Sequence, residues 1–306
     1  MQIVRMFETT YRSPRRWWLC GIAISVAVAA ATGACNAGPA VLTERVEAAR
    51  LVSALHLEFT KANEAANRAV LSDMDNTSAE AAKESTDAIA LAGQYLQQLR
   101  PVVSSLGYAD EVKTLETFSQ RFAEFQTLEE EILPLAVENT NLKAQRLSFG
   151  AGQDAADAFS KAVRAAVARA SGSQEAAATG ERSVAALLQV QVLQARHIAE
   201  PDEAAMSKME AQMREWEDVA RKGLARLREL KPAAAAGSGG TLDEAGAALD
   251  RFMSTNREIL ELSRRNSNVR SLALTLGRAR VVSAACEDQL RTLEASLQTH
   301  AFQATR

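Results

Sequence analysis

The sequence predicts an all-α protein made of two tandem up-and-down antiparallel helical bundles, each a repeat of about 130 residues. Three observations predict it. Ala, Leu, Glu, Gln and Arg dominate the 306 residues, while aromatics make up 5% and Pro numbers 6; such a mixture favours helix and lacks the β-branched and aromatic clusters that strands need. Apolar residues recur three and four apart along most of the chain, the period of a helix face. One stretch also occurs twice. Residues 131–150 and 258–277 align without a gap at a spacing of 127, and Glu131, Ile132, Leu133, Leu135, Asn139, Asn141, Leu147 and Gly150 recur identically. Thr140/Ser267, Leu142/Val269, Lys143/Arg270 and Ser148/Thr275 are close exchanges, and Phe125/Phe252 keep the same spacing upstream. A repeat of this length is long enough to bury a core of its own.

Residues 1–35 read differently. Arg5, Arg12, Arg15 and Arg16 precede Trp17-Trp18-Leu19 and an uncharged, Ala-rich run to Ala34, the basic and apolar regions of an export signal. Thr32-Gly33-Ala34-Cys35 resembles a bacterial lipoprotein cleavage box, with Thr32 where a large aliphatic residue is usual. Three readings stand: a lipid anchor on Cys35, an uncleaved anchor helix with Trp17-Trp18 at the interface, or ordinary secretion. All three place residues 36–306 outside the cytoplasm, on the periplasmic face of the cell envelope, and the first two tie the chain to the membrane by its N-terminus. Without residues 1–35, which hold four Arg and one Glu, 31 basic and 37 acidic residues remain, a net charge of −6. That balance gives no electrostatic case for nucleic acid.

Residues 36–41 form a tether. From Leu42 a first helix runs through Val46, Val52, Leu55, Phe59 and Ala66 and fades near Ser72-Asp73. Thr77-Ser78-Ala79-Glu80 has the form of a capping box for a second helix, which stops at Arg100-Pro101 because the residue before Pro avoids the α region. Ser104–Gly107 is a turn, and a third helix starts near Ala109 and carries Phe118, Phe122, Phe125, Leu128 and Ile132. The periodicity then admits either one long helix over 109–169 or a tight turn at Glu138–Asn141 with Asn139, Thr140 or Asn141 as N-cap of a fourth helix; the turn gives four helices of similar length and is preferred. Residues 42–170 form the first bundle repeat, 171–174 a linker and 175–303 the second repeat. In that second repeat a helix ends at Glu200-Pro201, the next stops at Lys231-Pro232, residues 233–240 are a flexible loop, and Thr241–Glu244 caps a further helix.

The chemical inventory points away from catalysis. Around His56, His197 and His300 there is no His-Glu-x-x-His and no Glu-x-x-His; the residues three before them are Ser53, Gln194 and Leu297. Cys-x-x-Cys-His and Gly-rich phosphate loops are missing as well. No catalytic residue, metal ligand or cofactor is expected. His197 and Glu200 read as a surface pair, Glu129-Glu130-Glu131 as a solvated face, and Cys286 as a small buried residue. Met206, Met209 and Met213 with Trp216 share one stripe, read as core packing with a copper(I) site or ligand groove as the alternative. Under the turn reading Arg68 approaches Asn139 and Asn141, and Arg196 approaches Asn266 and Asn268. An Arg beside helix N-terminal N–H groups makes a small-anion site; alternatively the asparagines only cap helices and fix register.

The cadence Ala-Asn-Arg-Ala-Val-Leu-Ser-Asp (66–73), Leu-Arg-Pro (99–101) and Leu-Ser-Phe-Gly (147–150) resembles the periplasmic four-helix-bundle sensor domain of methyl-accepting chemotaxis receptors. The resemblance covers roughly residues 42–170 and again 173–303. It implies a non-catalytic, ligand-binding sensory module working with a receptor or other partner protein in the envelope. Such receptors continue into a second membrane span, a linker domain and a cytoplasmic coiled coil, whereas residues 286–306 contain no apolar run, so the chain is not expected to signal across a membrane by itself. The other reading is a structural or protein-interaction lipoprotein of the envelope with no small-molecule ligand.

Overall fold

The structure, a computed structural model, describes residues 37–170, 173–230 and 238–303. It is all-α, and the described residues contain no strand. In chain order the elements are α1 (Ala37–Leu71), α2 (Asp75–Ser105), α3 (Ala109–Glu138), α4 (Thr140–Leu147), a π-helical turn (Ser148–Gly152) and α5 (Gln153–Arg169). The second repeat follows with α6 (Gln174–Ala199), α7 (Glu203–Glu229), α8 (Ser238–Arg265), α9 (Ser267–Leu274), a second π-helical turn (Thr275–Ala279) and α10 (Arg280–Gln303). The expected export signal, Cys35 and most of the segment between α7 and α8 lie outside the described residues.

Local chemistry accounts for most boundaries. Ser173 and Asp202 cap α6 and α7 through their side-chain oxygens, the former closing the expected linker. Gly107, at φ 70°, supplies the left-handed residue that ends the α2 region, a conformation that costs glycine little. Pro101 does not end α2. The helix passes through it to Ser105, because a proline in the last turns forfeits one backbone bond and leaves the following residues free to stay helical. The expected capping box also fails, since α2 already starts at Asp75. Ser78 is instead buried and donates to the carbonyls of Ala69 (2.9 Å) and Ala136 (3.0 Å). Likewise α8 begins at Ser238, ahead of the expected cap at Thr241.

The break between third and fourth helices is one residue wide. Asn139 (φ 50°, ψ 37°) and Asn266 (φ 54°, ψ 34°) are left-handed, and a new helix starts immediately after each. Asn is the side chain that tolerates this region best after Gly.

Contacts group the described residues into two compact units. One holds residues 37–56, 92–118 and 288–303. Leu51, Leu55, Leu99, Val103, Leu115, Leu290 and Leu293 are buried there. Polar clasps join α10 to α1 and α3: His56 Nδ1 lies 3.1 Å from Glu294 Oε2, and His300 Nε2 lies 2.9 Å from Glu111 Oε1 and stacks on Tyr108.

The other unit holds residues 57–91 and 119–287. Phe59, Phe122 and Phe125 form one aromatic cluster, with ring centroids of Phe59 and Phe125 5.0 Å apart. In the same unit Thr60 donates to Glu287, and Arg278 pairs with Glu124. A second cluster draws Phe159 and Val163 of α5 together with Leu187, Met213, Leu224 and Phe252 of α6, α7 and α8. The sequence repeat and the packing unit therefore do not coincide: α5, the end of the first repeat, packs on α6, α7 and α8 of the second, while α10, the end of the second, bonds to α1 and α3 of the first.

Candidate functional site

The fourth helices of the two repeats start side by side and cap each other. The Thr140 N–H donates to Ser267 Oγ (3.0 Å) and the Ser267 N–H to Thr140 Oγ1 (3.1 Å). The Asn141 N–H donates to Asn268 Oδ1 and the Asn268 N–H to Asn141 Oδ1, both at 3.1 Å. Residues 127 apart thus exchange the bonds that a helix start normally takes from its own N-cap side chain. The remaining amides close the cluster: Asn141 Nδ2 donates to Asn266 Oδ1 and the Ile198 carbonyl, Asn268 Nδ2 to Asn139 Oδ1, Asn266 Nδ2 to the Glu200 carbonyl, and Asn139 Nδ2 to Asp75.

This geometry corrects the expected anion site. The four asparagines come together in one cluster instead of two, and the first N–H groups of α4 and α9 are already bonded to the opposite repeat. Arg68 is turned toward Glu84, with which it forms an exposed ion pair. Arg196 sits on the exposed face of α6. The asparagines fix register, as in the alternative reading, but they do so between repeats.

A different site lies between α2 and α3. Ala82, Thr86 and Ile89 face Gln126, Leu133, Pro134 and Val137 across an open groove of about 750 Å³, with Lys83, Glu130 and Glu138 around it and Glu129 in its wall. Glu129 is only 3% exposed, and its Oε2 is buried with no hydrogen-bond partner. Burial alone raises its carboxyl to about 7, since a low-dielectric site disfavours the charged form. The expected solvated face is thus wrong at its first member: Glu130 and Glu131 are exposed, Glu129 is not. The signal was present in the spacing. Glu129 stands four residues after Phe125 and three before Ile132, both fully buried, which puts it on the core stripe.

The second repeat shows why the groove exists. At a spacing of 127, Ala82, Thr86 and Gln126 correspond to Met209, Met213 and Met253, and all three methionines are buried in the core. Met206 is buried as well, whereas Trp216 is 37% exposed, so the methionine part of the stripe is core packing. Long thioether side chains fill the space that small or polar ones leave open in the first repeat. A shallower groove persists at the equivalent place, about 610 Å³, lined by Glu210, Arg257, Leu260, Glu261, Arg264 and Arg265. These correspond to Lys83, Glu130, Leu133, Pro134, Val137 and Glu138. Charge is inverted at three of the six positions.

The buried polar groups have diverged too. Glu129 corresponds to Asn256, whose Oδ1 accepts from Gln194 (2.7 Å) while Gln194 Oε1 accepts from Ser148 (3.0 Å). Ser148 corresponds to Thr275, and Thr275 Oγ1, like Glu129 Oε2, is a buried oxygen with no partner. The layer of Ser148, Gln194 and Asn256 is satisfied, and in its counterpart the oxygens of Glu129 and Thr275 are not.

His197 was expected on the surface beside Glu200. It is fully buried, with Nδ1 2.6 Å from Ser263 Oγ and Nε2 3.0 Å from Glu210 Oε1. Burial holds its pKa below the ordinary range, and the Arg264 hydrogen bond holds Glu210 ionised. The neutral ring therefore donates from Nε2 to Glu210 and accepts the Ser263 hydroxyl at Nδ1. This is a clasp between α6, α7 and α8, and no cluster of three metal-ligating side chains exists among the described residues. No protein-family model, curated protein or solved structure matches the chain.

Proposed function

We propose that the chain is an extracytoplasmic, membrane-anchored ligand-binding module, non-catalytic, of the sensory-bundle kind that its cadence resembles. The observation that carries this reading is the α2–α3 groove: it has the volume of a small-molecule site, walls mostly of carbon, and one buried polar group without a partner. Its counterpart in the second repeat is shallower and partly filled by methionine, so the full depth of the groove is a property of this copy and not of the fold. The export signal ending at Cys35 supports placement at the membrane, and a receptor or other envelope partner would read the ligand-bound state.

A thermal-shift screen with amino acids, organic acids, aromatics and amines tests it, because a ligand that binds only the folded state raises Tm by mass action. At least one class should raise the Tm of the wild type and leave Ala82→Met/Thr86→Met, which copies the second repeat, unmoved. If nothing stabilises the wild type, or ligands stabilise the filled variant equally, the reading fails. The second reading, a protein-interaction lipoprotein, draws on Phe149 and Leu276, equivalent residues in the two π-helical turns that are 69% and 60% exposed. Under it, Phe149→Glu would release an envelope partner retained by the wild type in a cross-linked pull-down, with no ligand shift in either.

A further inference from the structure

Resting on the ligand-binding reading, we infer that the α2–α3 groove takes an organic cation with an apolar body, its ammonium group on the Glu129 carboxylate. The balance of charge around the groove selects this ligand class. On the α2 side Lys83 is the groove's cation, and its ammonium is held by Asp87. On the α3 side Glu138 is paired with Arg265. Glu129 and Glu130 are left without a countercharge, one buried and one exposed at the rim. An anion would meet two carboxylates and no free cation. A neutral apolar molecule would fill the volume and leave Glu129 Oε2 as it is.

A buried oxygen without a partner is costly, and a charge-assisted bond is the strongest remedy available to a carboxylate. The apolar walls supply the rest. Ala82, Ile89, Leu133 and Val137 offer a carbon surface to an aromatic or alkyl body, and desolvation by that body strengthens the ion pair. In the second repeat the equivalent position is an asparagine already bonded to Gln194, and arginines stand at three rim positions. That groove has no orphan acceptor and its two glutamates stand among three arginines, one of them paired with Glu210, so the cation site belongs to the first repeat alone.

Three isosteres that differ in charge test the inference: 2-naphthylmethylamine, 2-naphthylmethanol and 2-naphthoate, titrated calorimetrically into the full chain. The amine should bind at least about tenfold tighter than the alcohol, and the naphthoate weakest of the three. Glu129→Gln should bring amine and alcohol level while leaving the alcohol within about twofold of its wild-type affinity. At pH 7 the amine should release about half a proton per molecule bound, read from buffers of different ionisation enthalpy, because it converts a half-protonated carboxyl to the ionised form. Equal amine and alcohol affinities, or an amine preference that survives Glu129→Gln, overturn the inference. If those equal affinities vanish in Ala82→Met/Thr86→Met, the groove still binds ligands and only the cation assignment falls. If none of the three binds and the thermal-shift screen is also blank, both readings fall.

Discussion

Replacing Glu129 with Gln should change the pH dependence of stability more than any other single substitution in the groove. The folded-state carboxyl titrates at about 7 against an ordinary value of 4.5, with burial as the cause. Between those values the native state binds more protons than the unfolded chain, so stability falls as pH rises through the window and the loss is complete above pH 7. The shift corresponds to about 3 kcal/mol, a large part of a typical domain's stability of roughly 5–15 kcal/mol. Gln keeps the shape and cannot ionise, so any cost of its own amide is constant with pH. Urea denaturation of wild type and variant at pH 5, 6, 7 and 8 gives the difference directly. Glu129→Gln should gain on the wild type by about 2.5 kcal/mol from pH 5 to pH 8, with most of the change between pH 5 and 7. Glu130→Gln, at an exposed neighbour on α3, is the control for the substitution itself. Parallel curves for Glu129→Gln and the wild type would show that the carboxyl is solvated, and the cation site would lose its buried acceptor.

Three further outcomes follow from the junction and the histidine clasp. Thr140→Ala and Ser267→Ala should each cost about 1 kcal/mol, the usual worth of an N-cap, and the double variant should depart from additivity because each hydroxyl caps the other's helix; additive losses in a double-mutant cycle would rule out reciprocal capping. Asn139→Ala should cost about 1–2 kcal/mol more than Asn139→Gly, the price of a Cβ in the left-handed region, and equal chemical-denaturation midpoints would contradict that geometry. His197 has the opposite sign to Glu129: its folded pKa is depressed by burial, so its contribution is present above 6.5 and is lost as pH falls below that value. His197→Gln should flatten the acid limb of the stability profile, and an unchanged limb would place the ring in solvent.

Much of the helical layout could be read from the sequence because its causes are local. Helix α1 ends at Leu71 beside the expected Ser72-Asp73, α6 ends at Ala199 before Glu200-Pro201, and α3 breaks at Asn139; in each case a capping or φ-restricted residue at one position decides the matter. What the sequence withheld is long-range. Periodicity shows that α5 has an apolar face, and it is silent on which three helices that face meets. The exchange of fourth helices followed from that gap, and so did the anion site, since the N–H groups of Thr140 and Asn141 are satisfied by residues 127 positions away. Glu129 and His197 were legible in principle. Both lie on buried stripes that the 3–4 spacing marks, but a run of charge conceals the one and an i, i+3 pair the other.

The exchange makes a prediction about the repeat by itself. In residues 173–306 alone, α6, α7 and α8 lack α5, and α10 lacks α1 and α3. Val282, Cys286, Leu290, Leu293 and Leu297 are each at most 3% exposed in the whole chain. Baring five such side chains forfeits about 7–15 kcal/mol at the usual value per side chain, as much as the whole stability of an ordinary domain. Two copies of the fragment can recover this by exchanging α10, because the junction chemistry is self-complementary. Ser267 and Asn268 each offer a backbone N–H and a side-chain oxygen, the groups that Thr140 and Asn141 offer in the intact chain. The fragment should therefore run as a helical dimer in light scattering, and Asn268→Ala, which removes a cap from both copies at once, should weaken it. A cooperative melt from a folded monomer would show that α10 can occupy the place of α5 within one repeat. The exchange would then be a choice made by the intact chain and not a requirement of its helices.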